Sequence, residues 1–307
     1  MKLTLRQLQI FAAVARSENV SRAAQSLFMS QSAVSSALLE LERQFDCPLF
    51  DRIGKSLRLN GTGRGLMPKA EDLLARAAEL EAFLGGGTLG PLALGATLTI
   101  GNYLATLVVA EYLRRHPESR VDLRVSNTHD VLAGLVKFEL DLGLIEGESD
   151  DPDVVLEPWL EDELVVFCAP SHALAGVPEV SGELLARQDW ILREQGSGTR
   201  ALFDRAVARP LGGVNTRLQL QHTEAIKRAV ESGLGLGCLS RLSLREALRR
   251  GSLVEIPTPG FDLRRHFYFA WHRQRHAGAA QRSFIALCRE WTGPARDTLE
   301  LELPFVH

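Results

Sequence analysis

Apolar residues near the amino terminus recur at the three- and four-residue spacing of amphipathic helices. One such pattern covers Leu5 to Arg16, and two shorter ones follow back to back between residues 20 and 45. Each shorter pattern is opened by a serine, Ser21 or Ser30, that can cap the helix after it. A turn of about three residues separates them, which suits two helices meeting at a steep angle. The pattern predicts a helix-turn-helix.

The exposed side of the second of these helices carries short polar side chains. One glutamine can read a base edge, and the serines around it are small enough for the helix end to enter a major groove. We predict that this end contacts DNA through Ser30, Gln31, Ser32, Ser35 and Ser36. The alternative interpretation is an ordinary three-helix bundle with a serine-rich surface.

Two short strand patterns follow, LFDRIG and SLRLN, around a turn that contains Gly54. As a hairpin they would form a basic wing suited to phosphates or to a minor groove. The wing cations are Arg52, Lys55, Arg58 and Arg64. Residues 1–65 hold nine Lys/Arg against five Asp/Glu, net +4, whereas the remainder holds 26 against 33, net −7. This division of charge favours a DNA-binding domain at the amino-terminal end.

A single amphipathic helix is predicted next, over residues 64–84. Its alanines and leucines recur at helical or heptad-like spacing, with charged residues on the other side. Such a helix needs a cover for its apolar face, supplied either by a second copy or by its own domain. The segment GGGTLGP, residues 85–91, then interrupts the pattern with four glycines and a proline. We interpret it as a domain boundary and hinge.

From Leu92 onward, strand patterns alternate with helical patterns, which predicts an α/β fold with a doubly wound sheet. The extended segments LVVFCAP and RHFYFAWH bracket residues 171–263. Two such crossings would divide this part of the chain into two lobes. The predicted domains are a winged helix-turn-helix, a linker helix with its hinge, lobe one in two pieces and lobe two: 1–63; 64–91; 92–163 plus 267–302; 164–266.

A ligand between two such lobes would lie where strand ends meet helix starts. Amides and hydroxyls at several helix starts suit a small anion, because each start carries partial positive charge. The predicted contacts are Thr97, Thr99, Asn127, Thr128, His129, Glu146, Arg193, Ser197, Thr199 and Thr223. The alternative is that these residues only cap helices. Glu146 would repel an anion unless it were protonated or paired, with Arg193 or His129 as the candidate partners.

Composition narrows the class of protein. A chain of 307 residues with 45% apolar and 24% charged residues can fill the cores of two or three domains. The four cysteines are dispersed, which favours thiols in a reducing cytosol. The amino terminus lacks a signal-peptide pattern, and Asn102 with several threonines interrupts the apolar segment 92–113. We therefore expect a cytoplasmic protein without a membrane partner.

Residues 5–63, from LRQLQIFAAVARSENV to SLRLNGTG, resemble the winged helix-turn-helix of the LysR-type transcriptional regulators, and the remaining chain continues the resemblance. The resemblance implies that Gln31, Ser32, Ser35 and Ser36 face the major groove and that Arg52 lies in the wing. Two departures stand out: Ser32 replaces a usual proline, and Ser36 replaces a common longer Arg or Gln.

The family resemblance also implies an assembly. It predicts a linker helix that pairs with its mate in a dimer, and a two-lobed effector domain like that of periplasmic binding proteins. It further predicts a tetramer that bends promoter DNA and acts on RNA polymerase, with no cofactor. The segments LTIGNYL, GLIEG and WILREQGSGTR resemble a subgroup that controls carbon dioxide fixation and sulfite or sulfate metabolism. A small oxyanion or short carboxylate is the expected effector.

Two other classes of function compete with this interpretation. A transport-type solute receptor could use the same clamshell but would not carry a DNA reader. An enzyme would need a nucleophile, and Cys168, Cys238 or Ser197 could serve beside His129 or His222. The sequence contains no nucleophile-elbow motif, metal spacing or paired carboxylates that favour the enzyme. We therefore expect a regulator without enzymatic activity.

Overall fold

The computed structural model describes residues 2–53, 56–84 and 89–301. Its amino-terminal part is a three-helix bundle followed by a hairpin. The helices are α1 (Leu5–Ser17), α2 (Val20–Ser26) and α3 (Gln31–Phe45), and the strands are β1 (Phe50–Ile53) and β2 (Ser56–Leu59). The strands pair antiparallel, with Phe50 opposite Leu59. This is the predicted winged helix-turn-helix.

Of the two helix caps predicted from the sequence, the cap of α3 is confirmed and the cap of α2 is not. The Ser30 hydroxyl accepts a hydrogen bond from the Ala33 amide at 3.2 Å, so the prediction for α3 is confirmed. The prediction that Ser21 caps α2 is wrong. Asn19, in an extended conformation, accepts from the Arg22 amide at 3.0 Å, so α2 begins before Ser21. The amide side chain of Asn19 supplies the cap two residues earlier than the serine could.

The linker helix α4 (Gly61–Leu84) is divided between two environments. Met67 and Ala70, in its first half, are buried in the same apolar core as α1 and α3. Farther along, Leu73, Leu80 and Leu84 are 46%, 64% and 82% exposed. The first half is therefore covered by its own domain, and the second half presents leucines on the surface.

The remaining elements alternate between strands and helices. In chain order they are β3 (Leu92–Thr97), α5 (Leu98–Ile100), a π-helical segment (Gly101–Ala105), α6 (Thr106–Arg115), β4 (Val121–Ser126), α7 (Thr128–Val136), β5 (Leu142–Glu146), β6 (Val154–Cys168), α8 (Gly182–Ala186), β7 (Asp189–Arg193), α9 (Gly198–Phe203), a second π-helical segment (Asp204–Ala208), β8 (Asn215–Leu220), α10 (Thr223–Glu231), β9 (Leu236–Ser240), α11 (Arg241–Arg250), β10 (Val254–Ile256), β11 (Arg264–His272) and α12 (Ala279–Thr292).

These strands form one sheet that runs through two lobes, in the order β4-β3-β5-β11-β6-β9-β7-β8, with β10 also paired to β6. The strand β3 is parallel to β4 and β5, and β11 is antiparallel to β5 and β6. The first part of β6 pairs with β11, and its last part pairs with β9 and β10. The α/β fold class is confirmed, but the sheet is mixed because β11 returns antiparallel from the second lobe.

The predicted effector site lies at the carboxyl ends of the parallel strands. In lobe one, β3 and β5 end at Thr97 and Glu146, and in lobe two, β7 and β8 end at Arg193 and Leu220. Parallel strands bring these ends to one edge of each lobe, where the following helices begin. In the part of the chain that the structure describes, no helix combines the length and the apolar character needed to cross a membrane.

Candidate DNA-reading face and effector cleft

The start of α3 presents its polar residues away from the core. Ser30, Gln31, Ser32 and Ser36 are exposed, and Ser35 is half-buried. The opposite face of the helix is buried through Val34, Leu38 and Leu41. This face therefore offers short side chains and one longer amide to a groove, the arrangement that docking of a recognition helix requires.

The wing is described in part. Arg58 lies exposed on β2, and its backbone is opposite that of Asp51. Arg52 lies on β1 opposite Leu57, but its side chain and the whole of Lys55 lie outside the described residues. The Arg64 guanidinium donates to the Leu59 carbonyl at 2.7 Å. Of the predicted wing cations, Arg64 is thus engaged with the wing backbone, whereas Arg58 is presented to solvent.

Two loops of opposite lobes meet at the predicted effector site. The Thr128 hydroxyl donates to the Glu146 carbonyl at 3.3 Å and accepts from the Gly198 amide at 3.1 Å. The His129 amide donates to the Gly196 carbonyl at 3.1 Å. A Cβ on Gly198 would lie 2.2 Å from the Glu146 carbonyl oxygen, so this close approach requires glycine. The structure thus brings Thr128 and His129 together with the predicted loop of lobe two.

Several helices begin at the predicted effector site, and only some of them are capped by the side chain of the residue before them. The Asn127 side chain accepts from the Asp130 amide at 2.9 Å, so for this residue the capping interpretation holds. Thr97 and Ser197 occupy cap positions without a capping hydrogen bond from their side chains. His222, at the start of α10, likewise makes none, and the hydroxyl of Thr223 beside it is buried without a hydrogen-bond partner among the described residues. The Thr97 hydroxyl donates to the Leu144 carbonyl at 3.4 Å, whereas the Thr223 hydroxyl is available to another acceptor or donor.

Glu146 forms the centre of a buried ionic network. Its carboxylate accepts from the Thr99 amide at 3.0 Å, from the Thr199 hydroxyl at 3.1 Å and from Arg265 at 2.9 Å. The Arg265 Nε also donates to Asp162 at 2.8 Å. Burial would raise the pKa of Glu146, but the charges of Arg265 and Arg193 together with these hydrogen bonds lower it below its ordinary value.

The partner expected for Glu146 is therefore corrected. Arg193 is ion-paired with the adjacent Glu194 at 2.8 Å, and the His129 contact found is with the Gly196 backbone. The actual partner is Arg265, on a strand that returns from lobe two. Neither Arg265 nor Asp162 is predictable from the sequence, since the register of distant antiparallel strands leaves no local pattern. Because Arg193 and Arg265 are both compensated, neither is an unpaired cation for a ligand.

A second contact between the lobes lies at α10. The Tyr103 hydroxyl, in the first π-helical segment, donates to the Glu224 carboxylate at 2.6 Å. The Lys227 Nζ donates to the same oxygen at 2.6 Å and lies 5.9 Å from the centroid of the Tyr103 ring. Burial and the Glu224 carboxylate both raise the pKa of Tyr103, which keeps it a hydrogen-bond donor. This contact, too, leaves no signal in the sequence.

Comparison with protein-family models decides the family. Residues 5–64 match "Bacterial regulatory helix-turn-helix protein, lysR family", and residues 85–293 match "LysR substrate binding domain". The chain belongs to the LysR family. It is a LysR-type transcriptional regulator with an effector-binding domain, and the resemblance seen in the sequence is confirmed.

Curated relatives of this LysR-type regulator cover nearly all of it. It is 43% identical to the uncharacterized HTH-type transcriptional regulator YeiE of Escherichia coli K12, over 94% of this chain and 98% of the relative. It is 32% identical to the RuBisCO operon transcriptional regulator of Allochromatium vinosum, over 92% and 95%. It is 31% identical to the HTH-type transcriptional regulator CysL of Bacillus subtilis, over 84% and 87%. These relatives match the expected subgroup.

Among solved structures, the effector domain is similar to the Synechocystis CcmR regulatory domain in complex with 2-PG. The TM-score is 0.62 at 27% identity, covering 67% of this chain and 98% of that one.

The enzymatic interpretation is not supported in this LysR-type regulator. Its named relatives are transcriptional regulators. Burial raises the pKa of Cys168 to about 11 and that of Cys238 to about 12, so neither forms the thiolate that a nucleophile needs at neutral pH. In the described ranges, His, Cys, Asp and Glu form no cluster that could hold a metal ion.

Proposed function

We propose that this regulator recognises promoter DNA through the start of α3 and the wing, and that a small oxyanion or short carboxylate bound between the lobes modulates it. Residues 1–63 would form the DNA-binding domain and 64–91 the linker and hinge. Lobe one would comprise 92–163 plus 267–302, and lobe two 164–266. The observation that carries the effector proposal is the buried hydroxyl of Thr223 at the start of α10, which has no hydrogen-bond partner among the described residues.

The chemistry of the cleft favours a small anion held by dipoles. The start of the nine-residue α10 has no side-chain cap, so its amides and partial positive charge are available. By contrast, the Glu146 carboxylate already accepts from Thr99 at the start of α5, where it stands in for an external anion. The expected contacts are therefore concentrated on Thr223 and Ser197 of lobe two, with Thr97 as the contact expected from lobe one.

The relatives support the same class of ligand. The CcmR regulatory domain, at 27% identity, is similar to this effector domain and holds 2-PG, a small acid that carries a phosphate and a carboxylate. Calorimetry of the full chain against sulfite, sulfate, phosphate and 2-phosphoglycolate tests the proposal. Saturable binding of at least one of these anions is the expected result. Binding confined to large aromatic ligands would contradict it.

Removal of the Thr223 hydroxyl should lower anion affinity without lowering the stability of the fold. In Thr223→Val, we expect anion affinity to fall about 10- to 100-fold, since a hydrogen bond to a charged group contributes about 1.5–3 kcal/mol. Stability should not fall, because the hydroxyl has no partner in the part of the chain that the structure describes. Thr216→Val, at the amino-terminal end of β8 and away from the cleft, is the matched control. Equal anion affinity in the two variants would place the ligand elsewhere.

Substitution of Gln31 should weaken specific recognition. Gln31→Ala should cost about 1–3 kcal/mol on a duplex selected by the protein, with little change on random duplex, because a base contact is lost. Arg58→Ala is the comparison: loss of a phosphate contact should weaken binding to every duplex and reduce the salt slope by about one. Fluorescence anisotropy over a salt series measures both. An unchanged site preference in Gln31→Ala would refute the reading-helix assignment.

Self-association is part of the proposal. The exposed Leu73, Leu80 and Leu84 lie on the part of α4 that its own domain leaves uncovered. A second linker helix would bury such leucines in a coiled-coil seam, which supports a dimer, and pairing of effector domains would give a tetramer. Sedimentation velocity distinguishes these states from a monomer. We place the assembly in the cytoplasm, acting on promoter DNA and RNA polymerase.

Closure of the two lobes would transmit the effector signal. The Thr128–Gly198 contact and the Tyr103–Glu224 contact lie at separate points along the cleft, and both join one lobe to the other. A ligand between them would stabilise the closed arrangement and so shift the population of lobe angles. That shift would change how the paired DNA-binding domains bend the promoter.

A further inference from the structure

Phe138, in the turn between α7 and β5, has an unusual backbone for a phenylalanine. Its φ is +59°, in the left-handed region that bulky residues rarely adopt, yet it is 5% exposed. Its ring belongs to the apolar cluster of the winged helix-turn-helix, together with Met67 and Ala70 of α4. A residue of lobe one thus lies in the core of another domain. The strained backbone of the turn occurs at the residue whose ring makes this contact.

An ionic chain runs beside this ring and joins the same domains. The Glu71 carboxylate, on α4 and 4% exposed, accepts from Arg16 of α1 at 2.5 Å. Its other oxygen lies 4.0 Å from the guanidinium of Arg275, which follows β11. Arg275 is also paired with Asp141 at the start of β5. One buried carboxylate therefore has cationic partners in both the DNA-binding domain and lobe one.

Arg275 also fixes the turn that carries Phe138. Its guanidinium donates to the Phe138 carbonyl at 3.2 Å and lies 5.9 Å from the ring centroid. The His272 ring packs against the same phenylalanine with centroids 4.1 Å apart. Beside these contacts, a cavity of about 740 Å³ separates α4 from the start of β3. The contact between α4 and lobe one is therefore tightly packed around Phe138 and open beside it.

We propose that Phe138 and Arg275 form a docking element that fixes the DNA-binding domain on lobe one, and that DNA occupancy and the state of lobe one are coupled through it. The inference needs only the DNA binding of the chain and is independent of the effector's identity. Coupling between two sites is reciprocal, so DNA must alter lobe one if lobe one is to alter DNA binding. This reciprocity allows a test without any effector.

Hydrogen exchange of the full chain, with and without a duplex selected from a random pool, provides the test. In the wild type, DNA should change exchange of residues 137–141 and of residues 70–74. Phe138→Gly removes the ring and relieves the left-handed backbone, so it should not disturb the turn itself. In the wild type, DNA should change exchange rates in lobe one by about fivefold or more, the lower end of ordinary allosteric coupling, and in Phe138→Gly this change should be lost.

Two further variants make the result interpretable. Arg275→Gln removes the charge that pairs with Glu71 and Asp141 and should give the same uncoupling by an independent route. Asp46→Gly relieves another left-handed residue, φ +49°, at the end of α3 and should leave the coupling intact. Both docking variants should still bind the duplex saturably, with a DNA affinity that shifts by no more than the coupling that was removed. The proposal is overturned if DNA does not change the exchange of lobe one in the wild type, or if the DNA-induced change is as large in both docking variants as in the wild type. Loss of DNA binding in either docking variant also overturns it.

Discussion

Arg265→Met should destabilise the effector domain by about 3–5 kcal/mol, the usual cost of removing one partner from a buried ion pair. Arg265 is the cation shared by Glu146 and Asp162, at 2.9 Å and 2.8 Å, and all three side chains are buried. Methionine of similar length would leave two carboxylates without a counter-charge in the centre of the sheet. Denaturant unfolding, followed by tryptophan fluorescence to which the buried Trp190 contributes, measures the loss.

The neighbouring Arg264 provides the control. It belongs to the same strand and is ion-paired with Asp262 at 2.9 Å, but its side chain is 75% exposed. An exposed pair contributes about 0–1 kcal/mol, so Arg264→Met should unfold close to wild type. Equal stabilities of the Arg264 and Arg265 variants would show that the buried network is not held together by charge.

The pH dependence distinguishes lost charge from lost packing. In the wild type the pKa of Glu146 lies below its ordinary 4.5, so its stabilising effect is present above that value and disappears as pH falls through the folded value. Without Arg265, burial would dominate and raise the pKa, and the charged carboxylate would destabilise the fold at neutral pH. The stability deficit of Arg265→Met should therefore shrink between about pH 7 and about pH 5.

Gly198→Ala should prevent the lobes from closing on each other. The added Cβ would lie 2.2 Å from the Glu146 carbonyl oxygen and 3.0 Å from the Thr128 hydroxyl, so the backbone of one lobe must move away from the other. Overpacking of this kind costs about 1–3 kcal/mol, which corresponds to a loss of about 5- to 150-fold in the affinity of a ligand that needs the closed form.

Gly260→Ala is the matched control, because a Cβ there would meet nothing within 4 Å. Exchange of the His129 amide, which donates to Gly196 across the lobes, is a readout that needs no ligand. It should accelerate in Gly198→Ala and stay unchanged in Gly260→Ala. Slow exchange in both variants would mean that the lobe contact tolerates the extra methyl group.

The sequence predicted those parts of the fold that rest on local patterns. Ser30 caps α3 as expected, because a cap and the three residues after it form one local unit. The hairpin strands and the start of β3 were likewise predictable from short-range alternation. Ser21 failed for a related reason: Asn19 offers an equivalent oxygen two residues earlier, and the apolar spacing alone does not choose between them.

The strand-to-helix junctions around the proposed effector site were predictable, but the pairings between their residues were not. Tyr103 and Glu224 are 121 residues apart, and Glu146 and Arg265 are 119 apart. Such pairs depend on how two lobes pack and on the register of a returning antiparallel strand, and neither leaves a local periodicity. Consequently, the residues suspected of holding a ligand could be named, whereas those that already neutralise one another could not.

The shared strand β6 has a consequence for how this architecture can diversify. This strand of 15 residues forms backbone hydrogen bonds with strands of both lobes, so neither lobe has a complete set of backbone partners without the other. The pair should melt in a single cooperative transition and resist separation by proteolysis. A chimera that exchanges one whole lobe between relatives must therefore be joined within a continuous strand. New ligand specificity is consequently easier to obtain by point substitutions at the edges of the effector site than by exchange of whole lobes.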